Sequence, residues 1–205
     1  MFITFEGLDF CGKSTQVELL KDYFESRDKK VVIIREPGGT EISEKIRAIL
    51  LDKKNSEMSI ESELLLFSAS RAQLVREKII PLLNQEYYVI SDRFHDSSVA
   101  YQGYGRSISI ESVKAIQNFA INGAVPNITF FIDVPLEEMG KRRIKHGEDN
   151  LDRIELSENK FYQKVYNGYL ELCNTEERIK LIDGTKSIEE VHQQIITEIK
   201  LAKYL

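Results

Sequence analysis

The stretch Gly7-Leu8-Asp9-Phe10-Cys11-Gly12-Lys13-Ser14 reads G-x-x-x-x-G-K-S. Before it, Phe2–Glu6 is apolar and rich in β-formers. After it, residues 16–24 have helical spacing, with Val17, Leu20 and Phe24 on one face. A glycine-rich turn between a buried strand and a helix N-terminus points backbone N–H groups inward. It cradles phosphate oxygens with help from the helix dipole. In that setting residues Gly7 to Thr15 wrap a triphosphate, Lys13 reaches its β- and γ-phosphates, and the Ser14 hydroxyl is placed for Mg²⁺.

Working outward, strand-like and helix-like runs alternate through the chain. Short, β-branched, two-sided apolar segments fall at Phe2–Glu6, Val31–Arg35, Tyr88–Ser91, Ile128–Val134 and Ile179–Ile182. Helical patterns occupy about 13–26, 41–51, 59–84, 109–122, 136–145, 158–174 and 187–201. This order predicts an α/β fold, a five-stranded parallel sheet with helices on both faces. Ligands of such sheets bind at the carboxyl ends of the strands. The 205 residues are read as one domain. The polar stretch at about 146–156 is read as a short mobile lid, with a solvated loop as the alternative.

Composition narrows the function. Hydrophobic residues make up 42% and charged residues 30%, as in a globular chain, and the net charge is −5. Non-specific nucleic-acid binding needs excess Lys and Arg, so it is not expected. No apolar run is long enough to span a bilayer, and Met1 leads straight into a core strand. Two cysteines, Cys11 and Cys173, make neither a disulfide framework nor a metal site, which fits a reducing cytoplasm.

Residues with chemistry to offer cluster after the strands. Asp9, inside the loop, would repel phosphates, so it is expected to turn toward a hydroxyl donor such as a sugar. Strand two ends in Arg35-Glu36-Pro37-Gly38-Gly39-Thr40, a tight turn that lets backbone approach a ligand, with Arg47 on the next helix. Phe67 and Arg71 share a helix face, one able to stack on a base and the other to donate to it. Asp92 ends an apolar strand, a position suited to Mg²⁺, and Arg93 beside it offers two donors to a phosphate. Ser97, Ser98, Tyr101 and Gln102 follow. Lys141, Arg142, Arg143 and Lys145 crowd a later helix end, with Arg153 beyond.

Taken together and in this order, these motifs resemble the bacterial thymidylate kinases, P-loop nucleoside monophosphate kinases, over nearly the whole chain. That resemblance implies a P-loop NTPase fold, a homodimer, and transfer of the γ-phosphate of MgATP to dTMP. It implies that Asp9 binds the deoxyribose 3′-hydroxyl, Phe67 stacks on thymine and Arg71 contacts the base. Arg93 would hold the dTMP phosphate with help from Arg35 or Arg47. Ser98, Tyr101 and Gln102 would line the base and sugar pocket, and Arg142 would lie against the donor nucleotide. Pro37 would follow a cis peptide bond. Some members carry a catalytic Arg directly after the loop Asp. Phe10 stands there in this chain, so Lys13, Arg93 and Arg153 are the expected catalytic cations. Kinases for other monophosphates or deoxynucleosides, and nucleotide-binding switches, are the alternatives. The absence of an Asn-Lys-x-Asp segment argues against a GTPase switch.

Overall fold

The computed structural model describes residues 1–146 and 151–202. Its five strands are β1 (Phe2–Glu6), β2 (Val31–Arg35), β3 (Tyr88–Asp92), β4 (Ile128–Asp133) and β5 (Ile179–Asp183). They form one parallel sheet in the order β2-β3-β1-β4-β5. The strand segments read from sequence are therefore present to within a residue. β1 lies at the centre, and all five of its residues are buried.

The helices are α1 (Lys13–Glu25), α2 (Glu41–Leu51), α3 (Ile60–Leu74), α4 (Ile80–Asn84), α5 (His95–Ser98), α6 (Ile110–Ile121), α7 (Leu136–His146), α8 (Asn159–Thr175) and α9 (Ile188–Leu201). Side chains alternate across a strand, so each strand supplies both faces. Ile3, Phe5, Phe130 and Ile132 pack against Leu20 and Phe24 of α1 and Ile195 and Ile199 of α9. On the opposite face Phe131 stacks on Tyr169 of α8, with ring centroids 4.9 Å apart, and Val89 joins Leu74, Val75 and Ile79. Burying each such side chain contributes roughly 1.5–3 kcal/mol.

Two elements depart from the sequence reading. The helix expected over 59–84 is interrupted by a π-turn at Val75–Ile79, just before Pro81. Proline has no N–H to give the preceding turn, and a widened turn accommodates the lost bond. The polar run after β3 is also helical. α5 passes into a second π-turn, Val99–Gly105, which packs on α8. A Cβ on Gly105 would lie 2.6 Å from the Phe161 ring, so only glycine permits this approach.

Sequence neighbours β1 and β2 are not spatial neighbours, because β3 lies between them. The chain turns left from β1 and later right to β4, and the crevice outside β1 and β3 is the switch point where such sheets bind ligands. Both the phosphate loop after β1 and Asp92-Arg93 at the end of β3 open there.

Candidate active site

The loop between β1 and α1 is built on glycine and one strained side chain. Gly7 has φ 144°, and a Cβ there would sit 2.8 Å from the Ile132 carbonyl oxygen. Gly12 caps α1 in the left-handed conformation. Phe10 also has φ 63°, and Arg93 has φ 68°. Non-glycine residues so placed cost on the order of 1–3 kcal/mol and concentrate at functional sites. The side chains of Leu8 and Cys11 are buried in the core, so these residues offer backbone to a ligand. Lys13 Nζ donates to the carbonyls of Gly7 (3.2 Å) and Leu8 (2.8 Å), folded back along the loop. Ser14 Oγ donates to Asp92 Oδ2 at 2.8 Å.

From the loop a cleft of about 330 Å³ runs beneath α2 and α3. Among the residues expected at the site, Asp9, Phe10, Lys13, Ser14 and Asp92 line its loop end. Arg35, Pro37, Arg47, Phe67, Arg71, Arg93, Ser98, Tyr101 and Gln102 line the rest. Thr15 is exposed on the first turn of α1. Arg142 bridges the outer side of the loop, donating to the Phe10 carbonyl (3.3 Å) and the Gly184 carbonyl (3.4 Å).

Arg93 is held from several sides. It donates to Asp9 (2.5 Å), to the Gly7 carbonyl (2.9 Å) and to the Tyr101 hydroxyl (3.2 Å). Burial alone would raise the Asp9 pKa, but the Arg93 and Lys13 charges hold its carboxyl below the usual range. Behind Arg93 lies Glu6, the last residue of β1. Its carboxylate accepts from Ser97 Oγ (2.6 Å), the Tyr169 hydroxyl (2.7 Å) and the Phe94 amide (2.8 Å). Ser97 in turn accepts from Arg93 at 3.2 Å. Burial, and then the nearby Asp96, push the Glu6 carboxyl up.

Arg71 is 1% exposed, and each of its guanidinium nitrogens has a partner. It donates to Glu36 (2.6 Å), Ser98 Oγ (2.8 Å), Gln117 (2.5 Å) and the Phe94 carbonyl (3.0 Å). With Nη2 also 2.5 Å from Glu36 Oε2, all five of its N–H groups are engaged, so any contact of Arg71 with a base shares a hydrogen already in use. Burial pushes the Glu36 carboxyl up to about 7 against the pull of Arg71. The peptide joining Glu36 to Pro37 is cis.

Arg153 departs from its expected place. It does not line the cleft, whereas its neighbours Asp152, Ile154 and Glu155 do. Its Nη2 lies 2.8 Å from Glu63 Oε2, and its Nε donates to the Leu50 carbonyl at 2.7 Å. The turn directs this side chain toward Leu50 of α2 and Glu63 of α3, so its charge faces a buried carboxylate. Residues 147–150 of the expected lid lie outside the described residues.

Sequence reading gave no role to the buried carboxylates of Glu6 and Glu63, and it named Glu36 only as a member of its turn. Glu63 sits in the first turn of α3, where an acidic residue ordinarily means helix-dipole compensation. The cleft-lining pair Asp152 and Glu155 had the one available signal, the D-x-x-E spacing of a capping box.

With this geometry in view, the comparisons with known proteins agree. The family model for thymidylate kinase matches residues 5–195. The chain belongs to the thymidylate kinase family. The thymidylate kinase of Kosmotoga olearia is 49% identical over 205 residues, covering 98% of this chain and 96% of that one. That of Thermosipho africanus is 50% identical over 195 residues, 95% of each chain. The crystal structure of thymidylate kinase from Ehrlichia chaffeensis superposes with a TM-score of 0.79 at 35% identity, covering 98% of both chains. The five-stranded parallel sheet and phosphate loop thus belong to a thymidylate kinase in fold as well as in sequence.

Among the described residues no three His, Cys, Asp or Glu side chains gather into a metal cage. The donors present nevertheless fit Mg²⁺. A hydroxyl and one carboxylate, 2.8 Å apart at the loop mouth, are hard oxygen ligands. Mg²⁺ characteristically takes one or two protein oxygens, with water and substrate phosphate filling the rest.

Proposed function

We propose that this protein transfers the γ-phosphate of ATP to dTMP, releasing ADP and dTDP. The observation that carries the reading is a phosphate loop opening onto a cleft whose far wall is a polar-aromatic pocket. Phe67, Ser98, Tyr101 and Gln102 supply that wall, and Arg93 lines the same cleft, paired with Asp9 of the loop.

Phosphoryl transfer asks the protein mainly to align two anions and cancel their repulsion. The loop amides and the N-terminus of α1 hold the donor phosphates, and Lys13 leaves its two carbonyl partners to reach them. Arg93 takes the acceptor phosphate, aided by Arg47 and Arg35 at the cleft edge. Asp9 accepts from the sugar hydroxyl, and Phe67 stacks on the base. Ser14 and Asp92 would hold Mg²⁺, which when bound would supply positive charge beside the phosphates. Arg142 flanks the donor nucleotide.

We also read the protein as a cytoplasmic homodimer. Leu65 of α3 is 55% exposed and Phe119 of α6 is 79% exposed, on two helices that pack together. Both cysteines are free, as in a reducing compartment. No helix among the described residues is long and apolar enough to cross a membrane.

The test is ADP release from MgATP with dTMP, dUMP, UMP, CMP, AMP and GMP in parallel. Turnover greatest with dTMP supports the reading. ADP release independent of every acceptor overturns it.

A further inference from the structure

Glu63 is 1% exposed, yet it is a carboxylate. Such a group persists only when donors replace the water it has lost. Here the partners come from two separate parts of the chain, the helical turn that carries Gln102 and Arg106 and the turn that carries Arg153. Oε1 accepts from Gln102 Nε2 (3.0 Å) and Arg106 Nε (3.1 Å). Oε2 accepts from Arg106 Nη2 (3.2 Å) and faces Arg153 Nη2 at 2.8 Å. Burial opposes ionisation, but Arg106 and Gln102 bonding and the Arg106 and Arg153 charges hold its pKa below the usual value.

We propose that Glu63 is a positioning residue for the dTMP base: it fixes the amide orientation of Gln102 and anchors Arg153, so that the 152–155 turn forms a wall of the pocket. The inference rests on the dTMP kinase reading above.

The Gln102 argument is one of donor and acceptor inventory. An ionised carboxylate can only accept, so the Gln102 atom facing it is the NH₂ group. The amide oxygen is thereby turned away from Glu63 and is what Gln102 can offer to the cleft it lines. A carbonyl oxygen accepts from the imide N3–H of thymine or uracil. Cytosine has a bare acceptor at that position, and two acceptors facing each other leave both unpaired. Glu63 thus selects the base through a residue it touches, without touching the base.

The Arg153 argument is one of direction. Besides Glu63, Arg153 is held by the C-terminus of α2, through Nε to the Leu50 carbonyl (2.7 Å) and its backbone N–H to the Leu51 carbonyl (3.2 Å). A cation suits that helix end. The turn around it is locked reciprocally. Asp152 N–H donates to Glu155 (2.8 Å), and Asp152 Oδ1 accepts from the amides of Ile154 (2.8 Å) and Glu155 (2.9 Å). With Arg153 pinned beneath α2, its neighbours Asp152, Ile154 and Glu155 face the cleft. Arg153 is an anchor and not the cation at the transferring phosphoryl group.

Steady-state kinetics of the full chain decide this, with dTMP, dCMP and ATP varied in turn for wild type, Glu63→Gln, Arg153→Met and the double variant. A lost hydrogen bond to a charged group predicts that Glu63→Gln raises the KM for dTMP about tenfold or more. The KM for ATP should stay within about twofold, and kcat within about threefold. The kcat/KM preference for dTMP over dCMP should fall about tenfold as the amide becomes free to flip. Arg153→Met should also raise the KM for dTMP with kcat nearly kept, and the double variant should be less impaired than the product of the singles. A kcat loss of about a hundredfold in Arg153→Met with an unmoved dTMP KM would make Arg153 the phosphoryl cation and overturn the proposal. Unchanged dTMP KM and base preference in Glu63→Gln would overturn it as well. Should Glu63→Gln fail to fold, the kcat-against-KM split of Arg153→Met decides alone. Wild-type turnover reads the underlying function separately. Its absence with dTMP overturns both readings, whereas wild-type turnover with unmoved variants overturns only the Glu63 assignment.

Discussion

The Arg93 guanidinium lies 2.5 Å from Asp9 Oδ1, so the residue that follows β3 and a residue of the phosphate loop form one charged unit. The Tyr101 hydroxyl donates to the other Asp9 oxygen at 3.3 Å and closes the arrangement. In the reading above, this pair must reopen when the acceptor arrives, Arg93 turning to phosphate and Asp9 to the sugar hydroxyl.

Asp9→Ala removes the acceptor for that hydroxyl and unpairs Arg93. The expected result is a KM for dTMP raised about tenfold or more, with the KM for ATP changed about twofold at most. Steady-state kinetics with each substrate varied in turn check it. A rise confined to ATP would show that Asp9 serves the donor nucleotide.

Lys13 is buried and hydrogen-bonded to two loop carbonyls. Lys13→Met keeps the aliphatic stem and removes the charge that must follow the migrating phosphoryl group. By analogy with other preorganised transition-state donors, kcat should drop about a hundred- to a thousandfold. The folded fraction, read by circular dichroism, should stay as in wild type.

Ser14 and Asp92 are bonded to each other at 2.8 Å and are the proposed Mg²⁺ ligands. Ser14→Ala and Asp92→Asn should each raise the Mg²⁺ concentration for half-maximal activity several-fold, because each weakens an oxygen donor to a hard cation. Activity titrated with MgCl₂ at saturating ATP and dTMP tests this. Half-saturation unchanged in both variants would remove the pair from the metal site.

Two buried groups give opposite pH dependence of stability. Burial raises Glu36 from 4.5 to about 7, so its contribution is complete below pH 4.5 and is lost as pH rises through 7. Burial lowers His95 from 6.5 to about 4, so its contribution is present above pH 6.5 and is lost as pH falls through 4. Each is worth on the order of 3 kcal/mol. The Tm of Glu36→Gln minus that of wild type should therefore rise from pH 4.5 to 7. The same difference for His95→Gln should fall from pH 4 to 6.5. A flat difference for either variant would mean that the group titrates at its ordinary value.

Gly105 ends the π-turn against α8, where a Cβ would meet Phe161 at 2.6 Å and Val165 at 2.8 Å. Gly105→Ala should destabilise by about 1–3 kcal/mol through overpacking. Thermal denaturation would register this as a Tm lowered by several degrees.

The five strands, the phosphate loop and most cleft residues were legible in the sequence because they rest on local rules. Two-sided apolar runs mark buried parallel strands, and glycine marks the left-handed turn at Gly12. Chemistry-bearing residues such as Arg93 follow strand ends because the carboxyl edge of a parallel sheet is where ligands bind. The helical run that carries Tyr101 and Gln102 escaped notice. Its many small and polar residues imitate a loop, and its apolar partners lie on α8, far away in sequence.

What only the tertiary structure decided is the meaning of charges. Arg153 reads in sequence as a free cation in a polar segment, and Glu63 as an exposed first-turn acid. Folding carries α3 beneath the 152–155 turn and brings the two within 2.8 Å. In the same way strand order, not strand pattern, sets β3 beside β1 and so joins Arg93 to Asp9. Local patterns specify which way a side chain leaves its own element. Which element receives it depends on long-range packing, and a buried ion takes its role from the partner that replaces its water.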